Sequence, residues 1–344
     1  MAQYALLILP ATNRVYAESS TGLTMAELAL FGERALEARI SDIAQTSIGG
    51  VPYVTFEADE LSERDIALLS NMSSVYALFQ YDGRLLAPLH LRPLDKLDSD
   101  LISIQKYQGK TNEHFTKLLL NVTLLASAFA EQMLARKFSV VDPLCGRGTT
   151  MNQALMYGFD AAGVDVDRKD FELYGTFLQT WLKRKRLKHD AEVIRVRRNH
   201  EVVAHRLQVS LGLTKESWKA GDKLNLSYVN VDTTRALEFY KPGSFDLLVT
   251  DAPYGVQHGS RTAESGLHRS PIDLLKAAAP TWAGLLRPGG ALGIAWNTNV
   301  ARRDAAAEIL AGAGLEPLID APYDGFVHRV DQAIVRDILV ARRP

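Results

Sequence analysis

The chain has 344 residues, 47% of them hydrophobic and 23% charged, a globular mixture that excludes global disorder, collagen and coiled coil. Lysine and arginine number 39 against 40 acids, a net charge of -1, so any case for nucleic acid must rest on a local patch. Cys145 is the single cysteine, which rules out an intrachain disulfide and fits a reducing compartment.

Met1-Ala-Gln-Tyr4 lacks the basic stretch of a signal peptide. The apolar run 118–130 is broken by Asn121 and Thr123 and is shorter than the about 20 residues of a bilayer span. The expectation is a cytoplasmic protein with no membrane partner. Residues 4–10 read as a buried strand closed by Pro10. Thr24-Met-Ala-Glu27 has capping-box spacing and predicts a helix from Thr24 through Leu36. Two β-like runs, 40–47 and 51–57, meet at Gly49-Gly50, a hairpin signal. Ser62 caps a short helix over 63–70, and strands at 75–80 and 84–88 flank Asp82-Gly83. This β-α-β-β-α-β order predicts a ferredoxin-like unit over 1–95. A polar linker over 96–114 follows.

From Asn112 the pattern changes. A long helix is predicted over 115–136, then strands near 139–141, 161–165, 226–231, 245–250 and 291–296. Helices from Thr149, from Asp170 and over 272–286 alternate with them. The fold class is therefore α/β, a doubly wound, mainly parallel, Rossmann-like sheet over 115–344. The runs 316–319 and 333–340 are expected as edge strands. Segment 183–206 carries nine Lys/Arg against three acids, the start of a basic insertion over about 183–225. It reads either as a solvated helical insertion or as a basic patch for a polyanion.

Four constellations carry chemistry. In Val140-Val141-Asp142-Pro143-Leu144-Cys145-Gly146-Arg147-Gly148-Thr149-Thr150, a buried strand enters a glycine loop that opens a helix. The glycines permit positive φ and close approach of backbone to a ligand. A dinucleotide loop has the same outline, but Met151 stands where that fingerprint wants a third glycine. In Gly163-Val164-Asp165-Val166-Asp167, Asp165 ends the next strand, where a carboxylate accepts ribose hydroxyls. Asp167 reads as a helix N-cap. Asp232, after Val231, either accepts from an adenine amino group or caps a helix. Last, Phe245-Asp-Leu-Leu-Val-Thr-Asp251-Ala-Pro253-Tyr254-Gly255 ends a hydrophobic strand in a turn. Asp251 and a backbone carbonyl aimed by Pro253 are two acceptors, and Tyr254 is a flat face. Two acceptors out of the ring plane localise the lone pair of a conjugated amino group on nitrogen.

DPLCGRGTT followed by TDAPYG resembles the S-adenosylmethionine-dependent amino methyltransferases. It looks most like the tRNA guanine-N2 methyltransferases of the THUMP-associated group, whose motifs read close to DP-x-CG-x-GT and TDPPYG. Tyr107-Gln-Gly-Lys-Thr-Asn-Glu-His-Phe115 is similar to the segment that helps hold the methionine end of the cofactor there. The resemblance covers roughly 105–344. About 95 preceding residues do not accommodate a THUMP docking module as well. Ala252 replaces the family's first proline. Carried over by position, the resemblance implies S-adenosylmethionine contacts from Thr111, Asn112, Phe115, Asp142, Cys145, Gly146, Gly148, Thr149, Asp165, Val166, Asp232 and Asp251. It implies catalysis at Asp251, Pro253 and Tyr254. Substrate contacts are expected from Tyr254 and Gly255. His258, Arg261 and His268 either touch a substrate phosphate or base or are solvated, and Phe326, His328 and Arg329 divide the same way. Cys145 lies in the cofactor loop and reads as a small buried filler, which disfavours C5 chemistry through a cysteine nucleophile. No metal is expected.

The expected reaction is N-methylation of an exocyclic amino group, guanine N2 of a tRNA or another structured RNA. The rivals are a DNA adenine-N6 or cytosine-N4 methyltransferase, a small-molecule amine methyltransferase, and a non-catalytic RNA-binding protein that kept the fold.

Overall fold

The computed structural model describes residues 1–9, 14–107, 109–252, 260–262, 265–269, 271–330, 332 and 334–344, the side chains of 14–18, 260–262 and 265–269 excepted. The first region runs β1 (Ala2–Ile8), α1 (Arg14–Arg34), β2 (Ile40–Ile48), β3 (Val51–Ala58), α2 (Glu63–Leu69), β4 (Val75–Tyr81) and β5 (Leu86–Leu89). Its strands form an antiparallel sheet in the order β2-β3-β1-β4-β5. Gly49 and Gly50 both take positive φ, 60° and 82°, as a two-residue hairpin turn requires. Ser62 and Asp65 form the capping box of α2. The predicted start of α1 is wrong. The helix is already formed at Arg14, so Thr24 lies in its interior and its hydroxyl donates to the Ser20 carbonyl at 2.7 Å.

The second region begins with α3 (Asp100–Ser103) and α4 (Glu113–Ala126) and continues with β6 (Ser139–Asp142), α5 (Thr149–Met156), β7 (Asp160–Asp165) and α6 (Arg168–Arg184). Then come β8 (His189–Arg198), β9 (Glu201–Leu211), α7 (Lys215–Ala220), β10 (Leu224–Asn230) and β11 (Phe245–Asp251). The short β12 (Ser260–Thr262) and β13 (Ser265–Arg269) pair with each other. The chain closes with α8 (Pro271–Leu285), β14 (Leu286–Asn297), α9 (Arg303–Gly312), β15 (Glu316–Leu318), β16 (His328–Arg329) and β17 (Val335–Arg342). The large sheet has the order β15-β17-β14-β11-β6-β7-β10-β9-β8, with β16 on β17. Strands β14, β11, β6, β7 and β10 are parallel; β17 and the β8–β9 pair join antiparallel. This is the Rossmann-like arrangement. The chain leaves β6 toward β7 on one side and returns to β11 on the other, so a crevice opens at the carboxyl ends of these strands.

Three further expectations are corrected. The long helix ends at Ala126, because Ser127 turns extended (ψ 163°) and its hydroxyl takes the Leu124 carbonyl. β17 is no edge; it lies between β14 and β15. Segment 189–211 is a β-hairpin. Asn199 and His200, with φ of 47° and 68°, make its two-residue turn. Among the described residues no helix is long and apolar enough to cross a membrane.

The core continues from one sheet into the other. Leu6, Phe31 and Phe56 belong to the same buried cluster as Phe115, Leu118 and Phe138. Within it sits a polar knot. Glu27, fully buried on α1, accepts from the Ser73 amide at 2.9 Å, the Ser73 hydroxyl at 2.6 Å and the Asn121 amide of α4 at 2.8 Å. The Tyr157 hydroxyl donates to Asn121 Oδ1 at 2.9 Å. Burial pushes the Glu27 carboxyl up, against the lowering effect of these donors. Glu27→Ala would strand the Ser73 and Asn121 donors without water, and should destabilise the protein by about 3 kcal/mol. Denaturant titration checks it; a loss within about 0.5 kcal/mol would mean the knot is not a junction.

Candidate active site

The glycine loop hangs between β6 and α5 by backbone bonds. The Cys145 amide donates to the Val164 carbonyl at 3.0 Å, and the Gly148 amide to the Cys145 carbonyl at 2.7 Å. Gly148 has φ 79°, and a Cβ there would run into the Tyr174 ring. Gly146 has φ 47°, and a Cβ there would meet only Asp170 Oδ2, at 4.0 Å, so its outer side is open to a ligand. The Cys145 thiol is buried beneath the loop and its pKa is raised by that burial. It acts as the filler expected, and any ligand contact at this position would come from its backbone.

Asp142 and Asp165 stand at the carboxyl ends of β6 and β7. Asp142 Oδ1 accepts from the Leu144 amide at 3.1 Å and from the Thr250 hydroxyl of β11 at 2.8 Å. Asp165 accepts from the Gly146 amide at 2.8 Å and the Asp167 amide at 2.8 Å, which ties loop and strand together. Burial pushes Asp142 up to about 7 and Asp165 up to about 6, despite these donors. The nearby charges at Asp165 are further carboxylates, Asp170 and Asp167. Buried acids beside an open glycine loop suit a ligand that brings hydroxyl donors and positive charge, as S-adenosylmethionine does. Val166 is half-buried in the turn before α6, and Asp167 caps that helix, accepting from the amides of Lys169 and Asp170. Asp232 caps the 3-10 turn 233–238, accepting from the Thr234 amide and hydroxyl.

The segment expected as a linker packs onto this edge. The Tyr107 hydroxyl is 3.2 Å from the Thr149 hydroxyl, and the Arg147 guanidinium lies over the Tyr107 ring while its Nε donates to Asp170. Asn112 caps α4, accepting from the amides of His114 and Phe115. Thr111 donates to Asp251 Oδ2 at 2.6 Å. Asp251, at the end of β11, is also 3.9 Å from Arg336 of β17. Arg336 is buried, its guanidinium 4.1 Å from the centre of the Phe115 ring. His328 leans on the same ring and its Nδ1 bonds the Phe326 carbonyl. Burial, with the Arg336 charge, pushes His328 down to about 4, so it is neutral. The structure thus gathers Thr111, Asn112, Phe115, Asp142, Gly146, Gly148, Thr149, Asp165, Asp251 and His328 at one edge. Pro253, Tyr254, Gly255 and His258 lie outside the described residues, as does the side chain of Arg261. Sequence reasoning missed Arg336 and Thr250. Thr250 had a signal, since it precedes Asp251 and a strand's side chains alternate.

Residues 120–289 match the UPF0020 family, described as RMKL-like, methyltransferase domain. A comparison with curated proteins finds no sequence match. Solved structures similar to the chain include a TehB-like SAM-dependent methyltransferase from Corynebacterium glutamicum, at 14% identity, covering 63% of this chain and 85% of that one, TM-score 0.36. A precorrin-6y C5,15-methyltransferase from Geobacter metallireducens is 11% identical, with coverages of 73% and 99% and TM-score 0.39. A putative rRNA-methylase from Clostridium thermocellum is 10% identical, with coverages of 63% and 94% and TM-score 0.36. Over 120–289 the chain is thus similar to a methyltransferase domain.

The raised acids set a pH dependence. A cationic ligand favours ionised Asp142, which holds its proton below about pH 7. S-adenosylmethionine binding should tighten up to about ten-fold per unit as pH rises toward 7 and level off above it. Calorimetry at pH 5.5, 6.5 and 8 checks this, and Asp142→Asn should weaken binding and flatten the profile. The same group, raised above its unfolded value, gives stability present at low pH and lost as pH rises through about 7. The ligand-free protein should therefore melt lower at pH 8 than at pH 6.

Proposed function

We propose that the chain transfers a methyl group from S-adenosylmethionine to an exocyclic amino group of an RNA base, guanine N2 of a tRNA or another structured RNA. The observation that carries the reading is the setting of Asp251. Its carboxylate ends β11 next to Thr250, which bonds Asp142, and Thr111 holds one of its oxygens. An amine acceptor is thereby fixed beside the edge that suits the cofactor.

When bound, S-adenosylmethionine supplies a methyl carried on a positive sulfur. Asp251 accepts an N–H of the substrate amine and keeps the nitrogen lone pair turned out of the base plane. Thr111 and Arg336 limit its motion, so the acceptor is oriented before substrate arrives. With the cofactor bound, the nitrogen would take the methyl as the carbon–sulfur bond gives up its electrons to sulfur, and Asp251 or water would take the nitrogen's surplus proton. Positioning of this kind contributes up to about 7–11 kcal/mol. In the sequence, Pro253 and Tyr254 follow directly, and the Tyr254 ring would supply a stacking face worth about 1–3 kcal/mol.

The test is mass spectrometry of nucleosides from RNA and DNA of cells with and without the protein. An N2-methylguanosine that disappears from RNA is the expected result; a lost methyladenine or methylcytosine in DNA, or no change in either polymer, rejects the reading. Asp251→Ala should lower turnover about 100-fold or more, with cofactor affinity changed far less. Tyr254→Ala should cost more than Tyr254→Phe, since the ring face and not the hydroxyl is used.

A further inference from the structure

The nine cations of 183–206 fall on two opposite edges of the sheet. Helix α6 starts at the carboxyl end of β7 and runs back, so Lys183, Arg184 and Arg186 finish at the edge away from the site. There Lys185 is bound to Asp98 and Asp100, at 2.7 and 2.8 Å. The hairpin then returns. Ladder pairing sets Asp165 beside Asn230, Asn230 beside His205, and His205 beside Arg195. Arg195 is thus level with the carboxylates of the site, and residues 196–204 stand beyond them.

Charge is sorted along β8 by the same register. Asp190 and Glu192 lie toward the far edge, and Arg195, Arg197, Arg198 and His200 lie on the site's edge, where Glu201 is the one acid of 195–204. Arg198 is bound to Glu238 at 2.6 Å, while Arg195 and Arg197 are exposed. Below them a groove of about 410 Å³ between α6 and the hairpin is lined by Arg168, Glu172, Arg195 and His205 among others, with Arg168 paired to Glu172 at 2.8 Å. Arg168, Arg195 and His205 line this one space, and His205 is held low by burial and by the charges of Arg168 and Arg195, with Glu172 acting the other way. Charges on an outer strand also guard it against stray pairing. That role needs no sorting by sign, and the sorting is what the register shows.

We infer that the outer end of the β8–β9 hairpin, through Arg195, Arg197 and the Arg168 groove, docks the phosphate backbone of the RNA substrate, and that the cations ending α6 do not. The inference rests on the RNA reading. From β11 to β8 is five strand spacings, on the order of 24 Å. A free amine does not bridge that gap, whereas a polynucleotide with one base at Asp251 does.

The test compares Arg195→Glu/Arg197→Glu with Lys183→Glu/Arg184→Glu/Arg186→Glu in the full chain. Filter binding of bulk tRNA from cells lacking the protein is measured from 50 to 300 mM salt. Losing two phosphate contacts should weaken binding at least ten-fold and lower the slope of log affinity against log salt by about 1.4–1.8. The triple variant should bind within about two-fold of wild type. S-adenosylmethionine affinity and melting temperature should hold in both, and if reversal disturbs folding, Arg195→Gln/Arg197→Gln, which removes the same two contacts, should show the same slope change with a smaller loss of affinity. Normal binding by the hairpin variants, or equal losses in both sets, overturns the surface. If wild type binds no tRNA at 50 mM salt, or prefers duplex DNA, the docking inference fails together with the RNA reading. Arginine-dependent tRNA binding without methyl transfer to tRNA would keep the surface and reject only the tRNA substrate.

Discussion

The buried carboxylate of Glu27 joins the two sheets of this chain. It is on α1, yet its partners are Ser73, before β4, and Asn121, in the middle of α4. A fully desolvated acid with these donors permits little sliding, because any shift leaves a buried polar group without a partner. The consequence reaches the site through α4. The same helix begins at Asn112, presents Phe115 to Arg336 and His328, and is preceded by Thr111, which holds Asp251. The antiparallel sheet's helix α1 thus fixes the helix from which part of the candidate site's edge is built.

The carboxyl edge is electrostatically uneven. On the β6–β7 side, Asp142 and Asp165 are buried where the fold disfavours their anions. On the β11 side, Asp251 has Arg336 within 3.9 Å. Two acids thus await charge from a ligand while the third is already provided for. That division separates roles. The first pair gains most from a cationic ligand, and on the function proposed above the third keeps acceptor lone pairs for an amino group.

Much of this was legible in the sequence where local and global preferences agree. The strand-then-glycine loops at 139–148 and 160–165, the Ser62 capping box and the Gly49-Gly50 turn each carry their own geometry. The errors fall where tertiary contacts decide. Thr24-Met-Ala-Glu27 has the letters of a capping box, but Glu27 is spent on Ser73 and Asn121. The apolar run after Asn112 reads as one long helix until Ser127, whose hydroxyl takes a carbonyl that a further turn would have used. Arg336 had no local signal, since an arginine in a C-terminal strand is unremarkable until β17 is placed beside β14 and its side chain over Phe115.

The hairpin shows how one signal conceals another. Val193-Ile194-Arg195-Val196-Arg197 and Val202-Val203 are rich in β-branched residues, which favour strands, and Asn199-His200 supplies a turn. A count of charge carries no period, and period is what makes these residues strands. Register then changes what the charges mean. As a count, nine cations form one basic patch; as a ladder, they divide between two edges about the length of β8 apart. Only the outer group shares an edge with Asp142, Asp165 and Asp251. On the RNA reading, a polyanion held there keeps its phosphates at the outer strands while one base reaches the crevice. On that reading, the sorting of charge along one strand suits a substrate that is anionic along its backbone and uncharged at the reacting group.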